Sequence, residues 1–531
     1  MKPDCRRPGG NMQNIRFIHI AVLALAFSVF AGCGGSKKGD DKNQPPPTYT
    51  VTFNTNGGST MQSVRVNSGG TIQTPAAPTR EDYTFEGWYS DSGFLVRANF
   101  PYPVTQNTTL YARWTWIECY EIRTPSQLNN IRNNLAGEYR LLADISLFSY
   151  ANWVPIGEDD APFTGKIDGD GHKITDLKIN RRTEVYGGLF GYVNGGEIIN
   201  LALENVNIAG GASVGAIAGR VENSTITNCH SSGNIGAILF AGGIAGYLYN
   251  STIANCYSTG DTIASLLAGG IAGYMTNSDI TDCYSTGNIA SDSYDLENMA
   301  NRAAGGIAGL VENSMITKSY STGNISSYSN SGGIAGLALE SSITGCYSNG
   351  DIYAIFAGGI VGVILNSDIT NCYSTGDVAM GLFSGGIAGY IEGGMIINGY
   401  SRGIINAELS AGGIAGYAWG SVTITNCAAI NMTINSAEDA GRIVGYIKDE
   451  DVSLISNNFA LDTMQAADSP FYTDQMNHGI SKTDAQLKTQ STYSGAINGD
   501  GLGGLGWKFG SNDAAPWKMP AGGGYPIFYW Q

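Results

Sequence analysis

Three observations predict an all-β fold for this chain: a parallel β-helix (solenoid) with turns of about 27 residues, preceded by a small separate β domain. The first is a glycine-rich block that occurs ten times, at Gly187, Gly215, Gly242, Gly269, Gly305, Gly332, Gly358, Gly385, Gly412 and Gly441. The intervals are 26 to 29 residues except between Gly269 and Gly305, and a period of this size marks stacked units that cannot bury an apolar face alone. The second is the lack of any amphipathic run of about ten residues, which helical repeats of this period need. The third is composition: 74 glycines stand beside an apolar fraction of 43% with regularly spaced Ile, Val and Leu, unlike a disordered Gly-rich polymer. Each unit reads as three short strands with corners, such as Ile244 to Leu248, Thr252 to Ala254, and Cys256 to Thr259 with Ile263. Stacked about 4.8 Å apart, a dozen such turns would make a rod of about 60 Å.

From the N-terminus, residues 12–33 carry a basic residue, an apolar run, small residues and a cysteine. The run suits a signal h-region and is too short for a good membrane span. Val29-Phe30-Ala31-Gly32-Cys33 resembles the lipobox of bacterial lipoproteins, with Phe30 an unusual choice. The resemblance implies cleavage before Cys33, lipidation of Cys33, and an anchor in the bacterial cell envelope, with the outer membrane expected. A plain secretory signal with an incidental Cys is the alternative. Met12 is the expected start, because Met1 to Asn11 makes an odd n-region. Residues 1–32 are thus read as signal peptide and 33–48 as a tether, Gly, Ser and charge followed by three prolines. Acidic residues behind two lysines there resemble surface-export signals of some outer-membrane lipoproteins.

Residues 49–115 form the small domain. Thr50-Val51-Thr52-Phe53 and Gln62 to Val66 alternate like strands, separated by Asn56-Gly57-Gly58 and followed by Ser68-Gly69-Gly70. Phe85, Trp88, Tyr89, Leu110, Tyr111 and Trp114 are its expected aromatic core. The segments "VTFNTNGGS", "PTREDYTFEGWYSD" and "NTTLYARWT" resemble the internalin B-repeat, or Listeria–Bacteroides repeat, family. That resemblance implies a β-grasp-like module used as a spacer or binding unit on bacterial surface proteins.

Residues 116–460 are assigned to the β-helix with an N-terminal cap. Thr124-Pro125-Ser126-Gln127 is a capping box with Pro at the first helical position, followed by Leu128, Ile131 and Leu135. A short helix closing the first turn is expected. Gly would serve corners at positive φ and close backbone approach. Asn228, Asn255, Asp282, Asn371 and Asn426 occupy one recurring position, where stacked amides could bond along the rod. Asn223, Asn250, Asn277, Asn313 and Asn366 mark another corner. The "GGIAGY" blocks from about Gly187 to Gly445 resemble the GLUG repeat family, which implies a β-helical, secreted or cell-surface, adhesin-like protein and no defined catalytic residues. Residues 461–531, rich in Trp507, Trp517, Phe528, Tyr529 and Trp530, are the expected C-terminal cap.

The net charge of −16 is thinly spread and argues against nucleic acid and anionic lipid surfaces as partners. Cys229, Cys256, Cys283, Cys346, Cys372 and Cys427 share one repeat position, replaced by Ser319 and Gly399. Equivalent atoms on stacked strands sit too far apart for a disulfide, and a ladder does not converge on a metal. Buried thiols are expected. Beside them stands a second ladder: His230, Tyr257, Tyr284, Tyr320, Tyr347, Tyr373 and Tyr400. If the cysteines point in, the rings point out, and the six tyrosines become candidate ligand-binding residues for a glycan or a host or neighbour-cell surface protein. The alternative is that the rings stack on one another to steady the rod.

Catalytic readings find little support. Asp261, Asp351 and Asp377 alternate with Asn234, Asn288 and Asn324 after "TG" and read as corner residues, although Asp351 and Asp377 on successive turns could share a cation or proton. Asp168-Gly169-Asp170-Gly171 starts like a calcium loop but places Ile179 where an EF-hand needs Glu. There is no HExxH in a chain with four histidines. No catalytic residue, metal or cofactor is assigned. The insertion "SDSYDLENMANRAA" brings Asp292, Asp295, Glu297 and Arg302 to a loop, where scaffolds often carry binding. The sequence therefore predicts a non-enzymatic, surface-anchored lipoprotein with an adhesin-like role. A polysaccharide lyase or hydrolase on the β-helix and a structural stalk are the alternatives.

Overall fold

The computed structural model describes residues 47–80, 83–116, 119–291, 302–448, 453–466, 471, 478–495 and 503–531. The signal segment, Cys33, the tether up to residue 46 and the insertion residues Asp292, Asp295 and Glu297 lie outside them. The chain divides into two compact units, Met1–Cys119 and Tyr120–Gln531.

In the first unit a four-stranded mixed sheet is ordered Val64–Asn67, Thr48–Asn54, Thr108–Trp116, Tyr83–Tyr89. The two central strands are parallel and the outer pairings antiparallel. No helix occurs among the described residues of the unit. Val51, Phe53, Trp88, Val104 and Leu110 fill its core. Of the expected aromatic core, Trp88, Tyr89 and Leu110 are buried, Phe85 and Trp114 pack partly exposed against them, and Tyr111 is half-exposed.

The second unit is a parallel β-solenoid of about 11 turns. Successive turns pair in register, so each inward position becomes a column of like residues. One column runs Ile226, Ile253, Ile280, Ile316, Ile343, Ile369, Ile396, Ile424, and every member is 0 or 1% exposed. Burying each such side chain contributes about 1.5–3 kcal/mol, which makes the columns the main source of rod stability. The cysteines form another inward column, all buried and free. Each thiol donates to a carbonyl two residues earlier, as Cys229 Sγ does to Thr227 O at 3.2 Å. Backbone N–H groups donate to the sulfur of the next turn, as Cys229 N does to Cys256 Sγ at 3.3 Å. Burial pushes the Cys229, Cys256 and Cys346 thiols well above their ordinary value, so these groups stay protonated.

Glycine serves both expected roles, close approach in the repeated block and left-handed corners, the latter at Gly195 (φ 76°), Gly345 (φ 66°) and Gly420 (φ 72°). A Cβ on Gly242 would meet Ala245 O at 1.9 Å, and one on Gly246 would meet Ser213 Oγ at 2.4 Å. Most left-handed corners are asparagine: Asn223, Asn250 and Asn277 sit at φ 48°, and Asn228, Asn255 and Asn371 at 52 to 55°. Asn tolerates this region because its short side chain bonds locally. The side-chain amides then bond along the rod, Asn250 Nδ2 to Asn223 Oδ1 at 2.6 Å and Asn228 Nδ2 to Asn200 Oδ1 at 3.2 Å.

At the N-terminal end the helix Pro125–Asn129 forms as expected, with Thr124 Oγ1 accepting from Gln127 N, and it buries Leu128 and, just beyond, Ile131. The far end differs from a simple cap. Phe459–Leu461 and Ile480–Lys482 continue the stacking, and two short helices, Asp484–Leu487 and Gln490–Ser494, follow. Residues 503–531 do not stay at the end; they return along the side of the rod.

Candidate functional site

With the cysteines inward, alternation turns the next residue of each repeat outward and the serine after it inward again. This builds the predicted ladder from His230 through Tyr257, Tyr284, Tyr320, Tyr347 and Tyr373 to Tyr400. Neighbouring ring centroids lie 4.6–5.1 Å apart with planes 2–7° from parallel. The separation is the strand spacing itself, and it falls in the offset-stacked range favoured by aromatic pairs. Both faces of every inner rung lie against the neighbouring rungs. What the ladder offers outward is ring edge and phenolic oxygen, so it is not a row of free faces on which sugars could stack.

The C-terminal segment covers the later rungs. Trp530 lies 5.7 Å from Tyr347, Phe528 lies 5.4 Å from Tyr373, and Trp517 and Trp507 lie 6.1 and 6.4 Å from Tyr400. Gln531 Nε2 donates to Tyr373 Oη at 2.6 Å, Tyr400 Oη donates to Pro526 O at 2.8 Å, and Trp517 Nε1 donates to Asn371 Oδ1 at 3.3 Å. Lys318 pairs with Asp513 at 2.7 Å. Tyr347, Tyr373 and Tyr400 are consequently buried, at 8, 4 and 2% exposure, while Tyr257, Tyr284 and Tyr320 remain half-exposed. Among the described residues the hydroxyls of these three make no hydrogen bond. Of the six predicted binding tyrosines, a ligand approaching from solvent meets Tyr257, Tyr284 and Tyr320.

Burial governs the electrostatics of the flank. It pushes the phenols of Tyr373 and Tyr400 above their ordinary value, with the Gln531 bond opposing part of the shift at Tyr373. It also lowers His230, against a pull from Glu204. Unfolded tyrosines ionise near pH 10, whereas these stay protonated in the fold. The folded state therefore holds more protons above that pH. The stability these phenols contribute is complete below about pH 10 and is lost as pH rises through the folded-state values. Urea midpoints are expected to fall steeply above about pH 10, with tyrosinate absorbance from the covered rungs appearing only as β-sheet signal is lost. Full tyrosine ionisation on an intact fold would contradict the burial of these rungs.

The remaining candidates have structural partners. Asp351 Oδ1 accepts from Asp377 N at 3.0 Å, and Asp377 Oδ1 from Ile404 N at 2.7 Å, so each corner carboxylate ties down the backbone of the next turn. Asp261 does the same for Asn288 at 2.8 Å. Asp168 accepts from Asp170 N and from Asn200 Nδ2, and Asp170 pairs with Arg140. Among the described residues no group of three or more His, Cys, Asp or Glu is arranged to hold a metal ion.

Sequence reasoning missed a second aromatic row. The last residue of each "GGIAGY" block also points outward, in the register Tyr192, Arg220, Tyr247, Tyr274, Leu310, Leu337, Val363, Tyr390, Tyr417, Tyr446. Its geometry is less regular; Tyr247 and Tyr274 meet edge to face at 64°. Carboxylates hold it: Tyr192 Oη donates to Glu222 of the next turn at 2.6 Å and Tyr390 Oη to Glu392 of its own strand at 3.0 Å. The Tyr recurring at the end of the block was the available signal.

Comparison with known proteins bears on both units. Residues 49–113 are a Listeria-Bacteroides repeat domain, and the GLUG motif occurs at residues 241–264, 264–290, 300–326 and 357–379. Residues 125–233 match the N-terminal region of the M26 IgA1-specific metallo-endopeptidases. The chain is 37% identical over 131 residues to halomucin of Haloquadratum walsbyi, a match covering 22% of this chain and 1% of that protein. It is 39% identical over 111 residues to a "Putative Gly-rich membrane protein" of Evansella cellulosilytica, covering 19% of this chain and 13% of that one. The chain thus spans a small part of these relatives. Among solved structures, one titled as a "putative immunoglobulin A1 protease from Bacteroides ovatus" is 21% identical, with 78% of this chain and 93% of that chain covered and a TM-score of 0.28. Another, titled "IgA1 Protease", is 16% identical, with 79% and 29% covered and a TM-score of 0.34.

Proposed function

We propose that this chain is a bacterial surface protein, held by a lipid on Cys33, whose solenoid works as an adhesin-like binding rod for glycan or protein on another cell. Its surface-type repeats and the names of its relatives, a halomucin and a Gly-rich membrane protein, support the location. The observation that carries the binding role is the half-exposed stretch of the ladder, where Tyr257, Tyr284 and, at the edge of Trp530, Tyr320 present unpaired hydroxyls at the strand repeat. Such a row can donate to and accept from a hydroxyl-rich or peptide surface at successive positions, and its rigid stacking lowers the entropy lost on binding. The match to a metallo-endopeptidase concerns an N-terminal region, and the chain has no HExxH motif. A non-catalytic role is therefore preferred to a hydrolase or lyase.

The test is whole-cell and glycan-array binding by the full chain beside a variant with Tyr257, Tyr284 and Tyr320 changed to Phe. Phe keeps the stack and removes only the hydroxyls. At about 0.5–1.5 kcal/mol for each lost hydrogen bond, binding is expected to fall at least tenfold with an unchanged melting temperature. Equal binding by the two proteins would sink this reading of the ladder. Absence of binding by either would favour the structural stalk.

A further inference from the structure

The returning C-terminal segment closes a cleft of about 460 Å³ against the flank of the rod. Arg402 and Asn349 come from the solenoid turns, Lys488 from the end of the short helix Asp484–Leu487, and Tyr525 and Ile527 from the returning segment. The two cations stand beside one ring: Arg402 Cζ is 4.9 Å and Lys488 Nζ 5.3 Å from the centroid of Tyr525. Lys488 pairs with Asp484 at 2.6 Å, and Tyr525 Oη donates to the same carboxylate at 2.5 Å. Arg402 is exposed, and among the described residues its guanidinium makes no ion pair and no hydrogen bond. Asn349 spends its oxygen on Thr375 Oγ1 at 2.9 Å, which leaves its amide nitrogen to donate.

We propose that this cleft binds a carboxylate-bearing sugar residue of a glycan, a uronic-acid type unit. The reading deepens the glycan arm of the proposed function and rests on it for the biological setting. The groups without a partner here are donors, the guanidinium fork and the Asn349 amide, and the Asp484-paired ammonium of Lys488 keeps N–H bonds to spare beside them. They call for an acceptor-rich anion, and a planar carboxylate fits the Arg402 fork with two parallel bonds. The chain carries 29 basic against 45 acidic residues, so an unpaired Arg402 beside the Asp484-paired Lys488 runs against its overall charge. The wall supplied by Tyr525 and Ile527 suits the apolar face of a pyranose, and the volume lies in the ordinary range for small-molecule sites. A carboxylate seated at Arg402 would place its sugar ring along that wall.

Isothermal titration calorimetry on the full chain with D-glucuronate as probe tests this, with D-glucose and acetate as controls. Glucuronate is expected to bind at least tenfold more tightly than either control, because the site needs both the anion and the ring. Arg402→Ala is expected to weaken glucuronate at least tenfold, and Asn349→Ala severalfold, without changing the melting temperature. Three results would overturn the proposal: no glucuronate binding, glucose or acetate binding as tightly as glucuronate, or an Arg402→Ala variant that binds normally. Glucuronate binding without cell binding would keep the cleft and remove the adhesive role. Cell binding lost in the tyrosine-to-phenylalanine variant, but with no glucuronate affinity in the parent chain, would do the reverse.

Discussion

Replacing Trp517 with alanine is expected to destabilise the covered part of the solenoid by about 3–5 kcal/mol, the range for emptying a buried aromatic site. Trp517 is fully buried, with Trp507 at 4.4 Å and Phe528 at 4.7 Å, and it touches both Tyr373 and Tyr400. Its indole N–H also satisfies Asn371 at a left-handed corner. The loss should be local first. Residues 503–531 are tied to the rod by a few aromatic anchors, so their release would precede unfolding of the columns. Limited proteolysis should cut this segment in the variant and spare it in the parent, and urea unfolding should begin earlier. A variant as resistant as the parent would mean that the segment is held by contacts other than this cluster.

The second large effect lies in the repeat itself. Gly243→Ala would place a Cβ 2.0 Å from the carbonyl oxygen of Gly270 and 2.4 Å from Ser258 Oγ. The obstacle is backbone of the next turn, which cannot rotate away like a side chain. The two turns must separate, and the parallel ladder between them is disrupted together with the columns it aligns. A cost of about 3 kcal/mol or more is expected, at the upper end for overpacking. Each turn touches only its neighbours, so the defect should divide the rod into two weakly coupled blocks and broaden the unfolding transition. Gly522→Ala is the control. Nothing lies within 4 Å of its added Cβ, and a change within about 0.5 kcal/mol is expected. Similar transitions for the two variants would refute the close-approach role of the block glycine.

The sequence carried the solenoid because a solenoid is local. A turn touches only turns about 27 residues away, so inward Ile, corner Asn and block Gly must recur with that period, and the recurrence is visible without coordinates. The capping helix at Pro125–Asn129 was legible for the same reason, since Thr124 and Gln127 satisfy backbone groups within one turn. Alternation tied the cysteines and the rings to opposite sides of the strand but left open which side was inward; burial of the six thiols decided it. The accessible surface was a different matter. Tyr400 and Pro526 are 126 residues apart, and Tyr373 and Gln531 are 158 apart. No periodicity links the aromatic residues of 507–531 to the rungs they cover, because that packing is non-directional burial between distant segments. The sequence by itself determined a columnar rod with a cysteine and a tyrosine ladder on opposite sides of one strand. Only the tertiary structure decided that stacking consumes the ring faces, that three of the six predicted tyrosines lie beneath the returning segment, and that the same return closes a cationic cleft around Arg402.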